Sequence, residues 1–267
     1  MIKKTKYMLS EGVKFIAPSF VFDFEHDNEE DAIKLNGSLK SSEVFDSTYF
    51  FQYEFGKDIP SKLRSDFIHT LKFNQDTLGK DNIDKFIDKA LANLNKAVNL
   101  STVDVVIYPQ SSSTLTKDIV DKIDYFTDAD KYIKLEVAKK QISEVNFNWE
   151  KFEKYCETKN IPLNAREIMK AKMEKMLEDI HSLDYFSIAK NVKDQKYKKF
   201  LKNIYKFYDQ NAISLLKTIK DKKILIIDDI YTSGVTIEQI IKAYQMLDPD
   251  DSNILTVFTL IGKSKNI

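Results

Sequence analysis

The stretch from Lys223 to Ile241, KILIIDDIYTSGVTIEQII, leaves the chain few choices of fold. Ile224–Ile227 is an unbroken apolar run of strand length, without the alternation of a half-exposed strand. Gly234 permits a sharp turn, and Ile237, Ile240, Ile241 and Tyr244 then recur at helical spacing. A strand buried on both faces that leads into an amphipathic helix is the building unit of a parallel sheet covered by helices. DVVIYP, residues 104–109, repeats the pattern: Pro109 ends the strand, QSSST follows, and Leu115, Ile119, Val120 and Ile123 mark a helix. NILTVFTLIG, residues 253–262, supplies a further strand. The fold class expected is α/β, with a mainly parallel sheet flanked by helices.

The rest of the chain elaborates that core. GVKFIA, SFVFDF and STYFFQYEF in the first third favour strands and are separated by polar segments, so residues 1–80 are expected to form a small sheet or hood. Residues 81–267 are expected to hold the core, with a helical insertion around 145–185. Ile83, Phe86, Ile87, Ala90, Leu91, Leu94, Ala97 and Val98 form one stripe, which predicts a helix over 81–98. Within the insertion, Asn164 and Glu167 have capping-box spacing, and Ala165, Ile168, Met169, Met173, Met176, Leu177 and Ile180 predict a packed face. Tyr197, Phe200, Leu201, Ile204 and Tyr208 predict another helix, interrupted near DQN.

Composition removes several classes of function. The 267 residues suffice for a sizeable core, and a single Cys, Cys156, allows no internal disulfide, so a reducing, cytoplasmic location is expected. The amino-terminal residues contain no uninterrupted apolar segment, so neither a signal peptide nor a membrane span is expected. Forty-one basic residues balance 41 acidic ones, and Arg64 and Arg166 are the only arginines, which disfavours nucleic-acid recognition. Eleven Lys against three Asp between Lys190 and Lys223 give a local excess of +8, a field that a small anion or merely a solvated face would use.

Asp228 and Asp229 end the apolar run of 224–227. Adjacent residues on a strand face opposite ways, but where the chain begins to turn both carboxylates can approach one polyhydroxyl ligand. Carboxylates accept from the 2- and 3-hydroxyls of a ribose and bind Mg²⁺ directly or through water. Thr232, Ser233, Gly234, Val235 and Thr236 then present successive N–H groups and hydroxyls at a helix N-terminus, where a phosphate would satisfy them. An ordinary buried strand, turn and capped helix uses the same residue types.

The whole segment resembles the signature of the type I phosphoribosyltransferases: a hydrophobic strand, two acids, a two-residue spacer and a small-residue phosphate loop ending in Thr. That resemblance implies a phosphoribosyltransferase type I-like fold with an amino-terminal hood and a helical insertion. It casts Asp228 and Asp229 as the catalytic, ribose-binding and metal-binding acids, and residues 232–236 as the 5-phosphate loop of a phosphoribosyl pyrophosphate site. It also makes Gln110, Ser111 and Ser112 the pyrophosphate loop. A closing loop with basic residues would draw on Lys139 and Lys140 or on Lys190, Lys193 and Lys196. The last of these segments is weakly similar to competence-associated phosphoribosyltransferase-like proteins, although their characteristic Arg residues have no counterpart here. Position nominates Lys263 as base-contacting, with the base platform supplied by the hood.

The activity so implied is Mg²⁺-dependent transfer of 5-phosphoribosyl from phosphoribosyl pyrophosphate to a nitrogenous acceptor such as a nucleobase. The partners implied are those two small molecules, with a homodimer compatible and no membrane. A noncatalytic sensor of phosphoribosyl pyrophosphate or a nucleotide, built on the same fold, is the alternative.

Overall fold

The structure, a computed structural model, describes residues 6–10, 13–16, 19–22, 34–35, 49–54, 60–73, 75–111, 113–127, 132–184, 186, 188–192, 194–231 and 234–262. In chain order the strands are β1 (Lys6–Ser10), β2 (Val13–Ile16), β3 (Ser19–Phe22), β4 (Lys34–Leu35), β5 (Tyr49–Glu54), β6 (Val105–Pro109), β7 (Ile133–Lys139), β8 (Asn146–Phe147), β9 (Leu201–Lys202), β10 (Tyr205–Lys206), β11 (Lys223–Tyr231) and β12 (Ile254–Gly262). The helices are α1 (Ser61–Phe73), α2 (Gln75–Leu78), α3 (Lys80–Val98), α4 (Leu115–Ile123), α5 (Trp149–Thr158), α6 (Leu163–His181), α7 (Ile188–Asn191), α8 (Gln195–Lys198), α9 (Gln210–Thr218) and α10 (Val235–Gln245). The chain forms two compact units, one of residues 1–136, 217–232 and 249–267, the other of residues 137–216 and 233–248.

The first unit contains a mostly parallel sheet in the order β7-β6-β11-β12-β5-β4. β11 runs parallel to both β6 and β12, β12 runs parallel to β5, and β4 closes the edge antiparallel to β5. β1, β2 and β3 make a separate antiparallel sheet. The apolar runs explain why the central strands stay inside. On one face Val106, Leu225, Ile227, Phe258 and Leu260 join a single core with Phe67 and Leu71 of α1, the stripe from Ile83 to Leu94 of α3, and Leu115, Ile119, Val120 and Ile123 of α4. On the other, Val105, Ile107, Ile224, Ile226, Leu255 and Val257 are buried as well, as a doubly covered parallel sheet requires. Of the expected α3 stripe, Val98 is half-buried and packs against this core, while Ala97 is exposed in the last turn before Asn99 ends the helix in the left-handed region (φ 54°). β5 and α1 lie within the stretch 1–80 read as a hood, and they pair with β12 and pack into this core respectively.

At their amino ends the central strands are tied by side chains. Asp104 Oδ2 accepts from the Lys223 N–H at 2.9 Å and its Oδ1 from Lys222 Nζ at 2.8 Å, joining β6 to β11. Ser252 Oγ accepts from the Asp221 N–H at 2.8 Å, and Asn253 Oδ1 accepts from the Lys222 N–H at 3.0 Å while its amide donates to the Ile219 carbonyl at 3.1 Å. These bonds set the register from which β11 and β12 run toward the opposite end of the sheet.

The second unit holds α5, α6 and α10, the short β8–β9 pair, and β10 antiparallel to the second half of β7. Phe147, Trp149, Phe152, Tyr155 and Phe200 pack edge to face, with the Lys199 ammonium 3.1 Å from the centre of the Tyr155 ring. The expected insertion, 145–185, falls inside this unit. Residues 197–208 are not a helix: α8 stops at Lys198, β9 and β10 follow, and Asn203 sits between them at φ 60°, a conformation that ends any right-handed helix. No Asn164–Glu167 capping box forms, because α6 starts two residues earlier than that box requires, with Pro162 at its N-cap, and Asn164 turns its side chain to the Ala165 N–H at 2.8 Å. On α6 only Met173 and Ile180 of the predicted stripe are buried, and Ile168 is 57% exposed. Among the described residues, no helix is long and apolar enough to cross a membrane.

Candidate functional site

β11 carries the acid pair. The sequence places the turn directly after Ile227, but the strand continues to Tyr231 because β12 stays paired with it, Asp228 with Thr259, Ile230 with Ile261 and Tyr231 with Gly262. Asp228 and Asp229 therefore lie inside the strand. Asp229 reaches Lys72 of α1, on the side of the core that Leu225, Ile227 and Ile230 share, and the Asp228 carboxyl lies beside it, close enough to feel its charge and to accept its N–H. On the other side β6 falls away sooner. It pairs Ile107 with Ile226 and ends at Pro109, so continuing that register brings Asp228 level with Pro109 and Asp229 level with Gln110. The carboxyl end of the central strand thus stands beside the mouth of the loop after β6, the place where open parallel sheets bind ligands.

Both acids are nearly dry, with Asp228 7% and Asp229 1% exposed. Asp229 Oδ1 accepts from Lys72 Nζ at 2.7 Å and from the Ile230 N–H at 2.6 Å, while Oδ2 is buried with no hydrogen-bond partner. Asp228 Oδ1 accepts from the Asp229 N–H at 3.0 Å. Burial, followed by the charge of Asp229, pushes the Asp228 carboxyl up to about 8, against the opposing pull of Lys72. At neutral pH the site thus pairs a protonated acid with a carboxylate held by one ammonium, and it presents one donor hydroxyl and one unused acceptor oxygen.

Lys72 was not foreseen. It lies on the last turn of α1, in the stretch expected to form a hood, as one of 41 basic residues and 157 positions from its partner. The available signal was local: a Lys ending an amphipathic helix has its ammonium near the carbonyl end.

The loop after β6 is tied to the same helix. Ser113, 7% exposed, donates its hydroxyl to the Lys72 carbonyl at 3.3 Å and accepts from the Leu115 N–H at 3.2 Å, just before α4. Its own N–H donates to Ser111 Oγ at 3.1 Å. Gln110 and Ser111 are exposed, and Ser112 lies outside the described residues. In the first turn of α4, Thr116 Oγ1 is buried with no partner.

Beyond β11, Thr232 and Ser233 lie outside the described residues. Gly234 is left-handed at φ 76° and stands as the N-cap of α10, at the turn expected there. Val235 is buried and Thr236 half-buried. Of the lysines nominated for a closing loop, Lys139 donates to the Phe186 carbonyl at 3.5 Å, Lys140 pairs with Glu144 at 3.8 Å, and Lys196 pairs with Asp194 at 3.3 Å above the Tyr197 ring. All three belong to the second unit. Lys193, Lys263 and the side chain of Lys190 lie outside the described residues. Among the described residues no group of three or more His, Cys, Asp or Glu gathers as a metal centre.

No known protein-family model matches the sequence, and no curated protein matches it.

Proposed function

We propose that the chain binds phosphoribosyl pyrophosphate at the carboxyl end of β11 and transfers its 5-phosphoribosyl group to a nitrogenous acceptor, a nucleobase being the leading candidate, with release of pyrophosphate. The observation that carries this reading is the buried acid pair. Asp229 Oδ2 lacks any partner, and Asp228 beside it holds a proton near neutrality. A buried polar atom without a partner costs about 1–3 kcal/mol, which a ligand hydroxyl would recover. Two neighbouring pentose hydroxyls ask for the combination present, one acceptor and one donor. The 5-phosphate is assigned to residues 232–236, the loop that the resemblance implies.

As the bond from C1 to pyrophosphate lengthens, positive charge grows on the ring, and the Asp229 carboxylate is the group on this strand that would stabilise it. Mg²⁺ fits if it shares its coordination with ligand phosphate oxygens: Asp229 Oδ2 would hold it, joined by Asp228 once the ion displaces its proton, since the described residues offer no third carboxylate or imidazole there. Bound so, it would neutralise charge on the departing pyrophosphate. Gln110, Ser111 and Ser112 are the residues proposed to meet that anion. A cytoplasmic location accords with this chemistry and with the buried, unpaired Cys156.

The sensor alternative is favoured by one observation. With Lys72 on Asp229 and a proton on Asp228, the acid pair carries little net negative charge toward a cationic transition state. Calorimetry with phosphoribosyl pyrophosphate and Mg²⁺, followed by pyrophosphate release across a nucleobase panel, separates the readings. Binding with base-dependent release is the expected result. Binding without release across the panel assigns the sensor role, and no binding at millimolar ligand rejects both.

A further inference from the structure

One side chain at this end of the sheet has a role that the acid pair and its flanking loops do not supply. Lys72 Nζ sits on Asp229 at 2.7 Å, yet its side chain is 24% exposed while that of Asp229 is 2% exposed. The lysine side chain is thus partly open to solvent while the carboxylate it meets is buried. Its backbone is fixed to the loop after β6, because the Lys72 carbonyl accepts the Ser113 hydroxyl, and Ser113 is bonded in turn to Ser111 Oγ. One residue thus spans both proposed ligand-binding elements: its main chain is held by the 110–113 loop, its side chain by the acid on β11.

We propose that Lys72 is an exchangeable counter-ion of this site, neutralising Asp229 in the free protein and moving to the anionic diphosphate end of the ligand when one binds, which frees Asp229 for the ligand hydroxyls. This rests on the reading of the site given above. Three physical points support it. Lys carries a compact charge on a flexible four-carbon stem, so its head can change partner without movement of α1. A diphosphate presents several charged oxygens and makes charge-assisted hydrogen bonds stronger than neutral ones. Leaving Asp229 without a cation is costly in so dry a place, so the exchange waits for the ligand, whose hydroxyls and metal then take over both carboxylate oxygens. The Ser113 bond keeps the lysine beside the loop where the anion is expected.

Inorganic pyrophosphate is the probe, titrated by calorimetry into the full chain at fixed ionic strength, with phosphoribosyl pyrophosphate titrated in parallel. Asp229→Asn removes the competing carboxylate and leaves Lys72 available, so pyrophosphate affinity should rise by about tenfold, a shift of ~1.4 kcal/mol. The double variant Lys72→Met, Asp229→Asn leaves no buried unpaired charge, which spares it the destabilisation of Lys72→Met alone, and it should lose that gain and bind pyrophosphate at least as weakly as wild type. Asp229→Asn with Lys72→Arg should retain most of the gain. If wild type binds and the single and double variants bind pyrophosphate equally, the exchange role is overturned while the site reading stands. If neither wild type nor Asp229→Asn binds pyrophosphate or phosphoribosyl pyrophosphate, both fall together.

Discussion

The Asp228→Asn variant should become steadily more stable than wild type as pH rises. A carboxyl that titrates at about 8 in the folded protein and at about 3.9 unfolded keeps its proton in the native state over a window where the unfolded chain has lost it. Because the folded value is raised, the stabilisation linked to that proton is fully present below about pH 4 and declines as pH climbs toward 8. The gap sets a ceiling of about 6 kcal/mol at ~1.4 kcal/mol per unit, and local relaxation and water entry reduce what is measured. Asn keeps the shape, its Oδ1 can still take the Asp229 N–H, and its amide can donate as the protonated acid does. The two proteins should therefore match most closely near pH 3, differ by about 1.5 kcal/mol at pH 5 and separate by several kcal/mol more at pH 9. Urea unfolding followed by circular dichroism, with a chelator present and both proteins measured at each pH, provides the comparison, since all other titrations cancel in the difference. A difference that stays constant between pH 5 and 9 would show that Asp228 is ionised in the folded protein, and the donor–acceptor account of the site would fail.

Two other perturbations test the same region. Lys72→Met should destabilise the fold by about 3–5 kcal/mol in the same unfolding assay by leaving the Asp229 charge buried and unpaired, and adding Asp229→Asn should recover most of that loss. Gly234→Ala places a Cβ at φ 76° and should cost about 1–2 kcal/mol of stability by thermal melting, with no effect expected if the turn can relax into another conformation.

Much of the sheet was legible because its strands are buried on both faces and its helices on one. Val105–Pro109 with α4, and the 224–227 run with α10, carry opposite periodicities separated by a turn, and no other element type satisfies both. The segment 197–208 misled because Tyr197, Phe200, Leu201 and Ile204 stand at helical intervals yet are buried from two short strands and a turn around Asn203. Apolar spacing over so few residues does not distinguish the two geometries. The extent of β11 was hidden for another reason. Whether a strand continues past Ile227 depends on whether a neighbour is there to pair with it, and that neighbour, the end of β12, lies more than thirty residues along the chain. Lys72 was obscured in the same way: nothing in its local sequence points to Asp229, and only the packing of α1 on the sheet joins them.

The side-chain ties at the amino ends of β6, β11 and β12 have a consequence for how this protein tolerates change. Asp104, Ser252 and Asn253 hold strand alignment at one edge, while the acids, Ser111 and Gly234 stand on or beyond the far halves of the strands. Specificity can therefore be rewritten in the loops after β6 and β11 without disturbing the anchors that keep the strands in step, so drift in the former and constancy in the latter is the pattern to look for in sequences descended from the same ancestor.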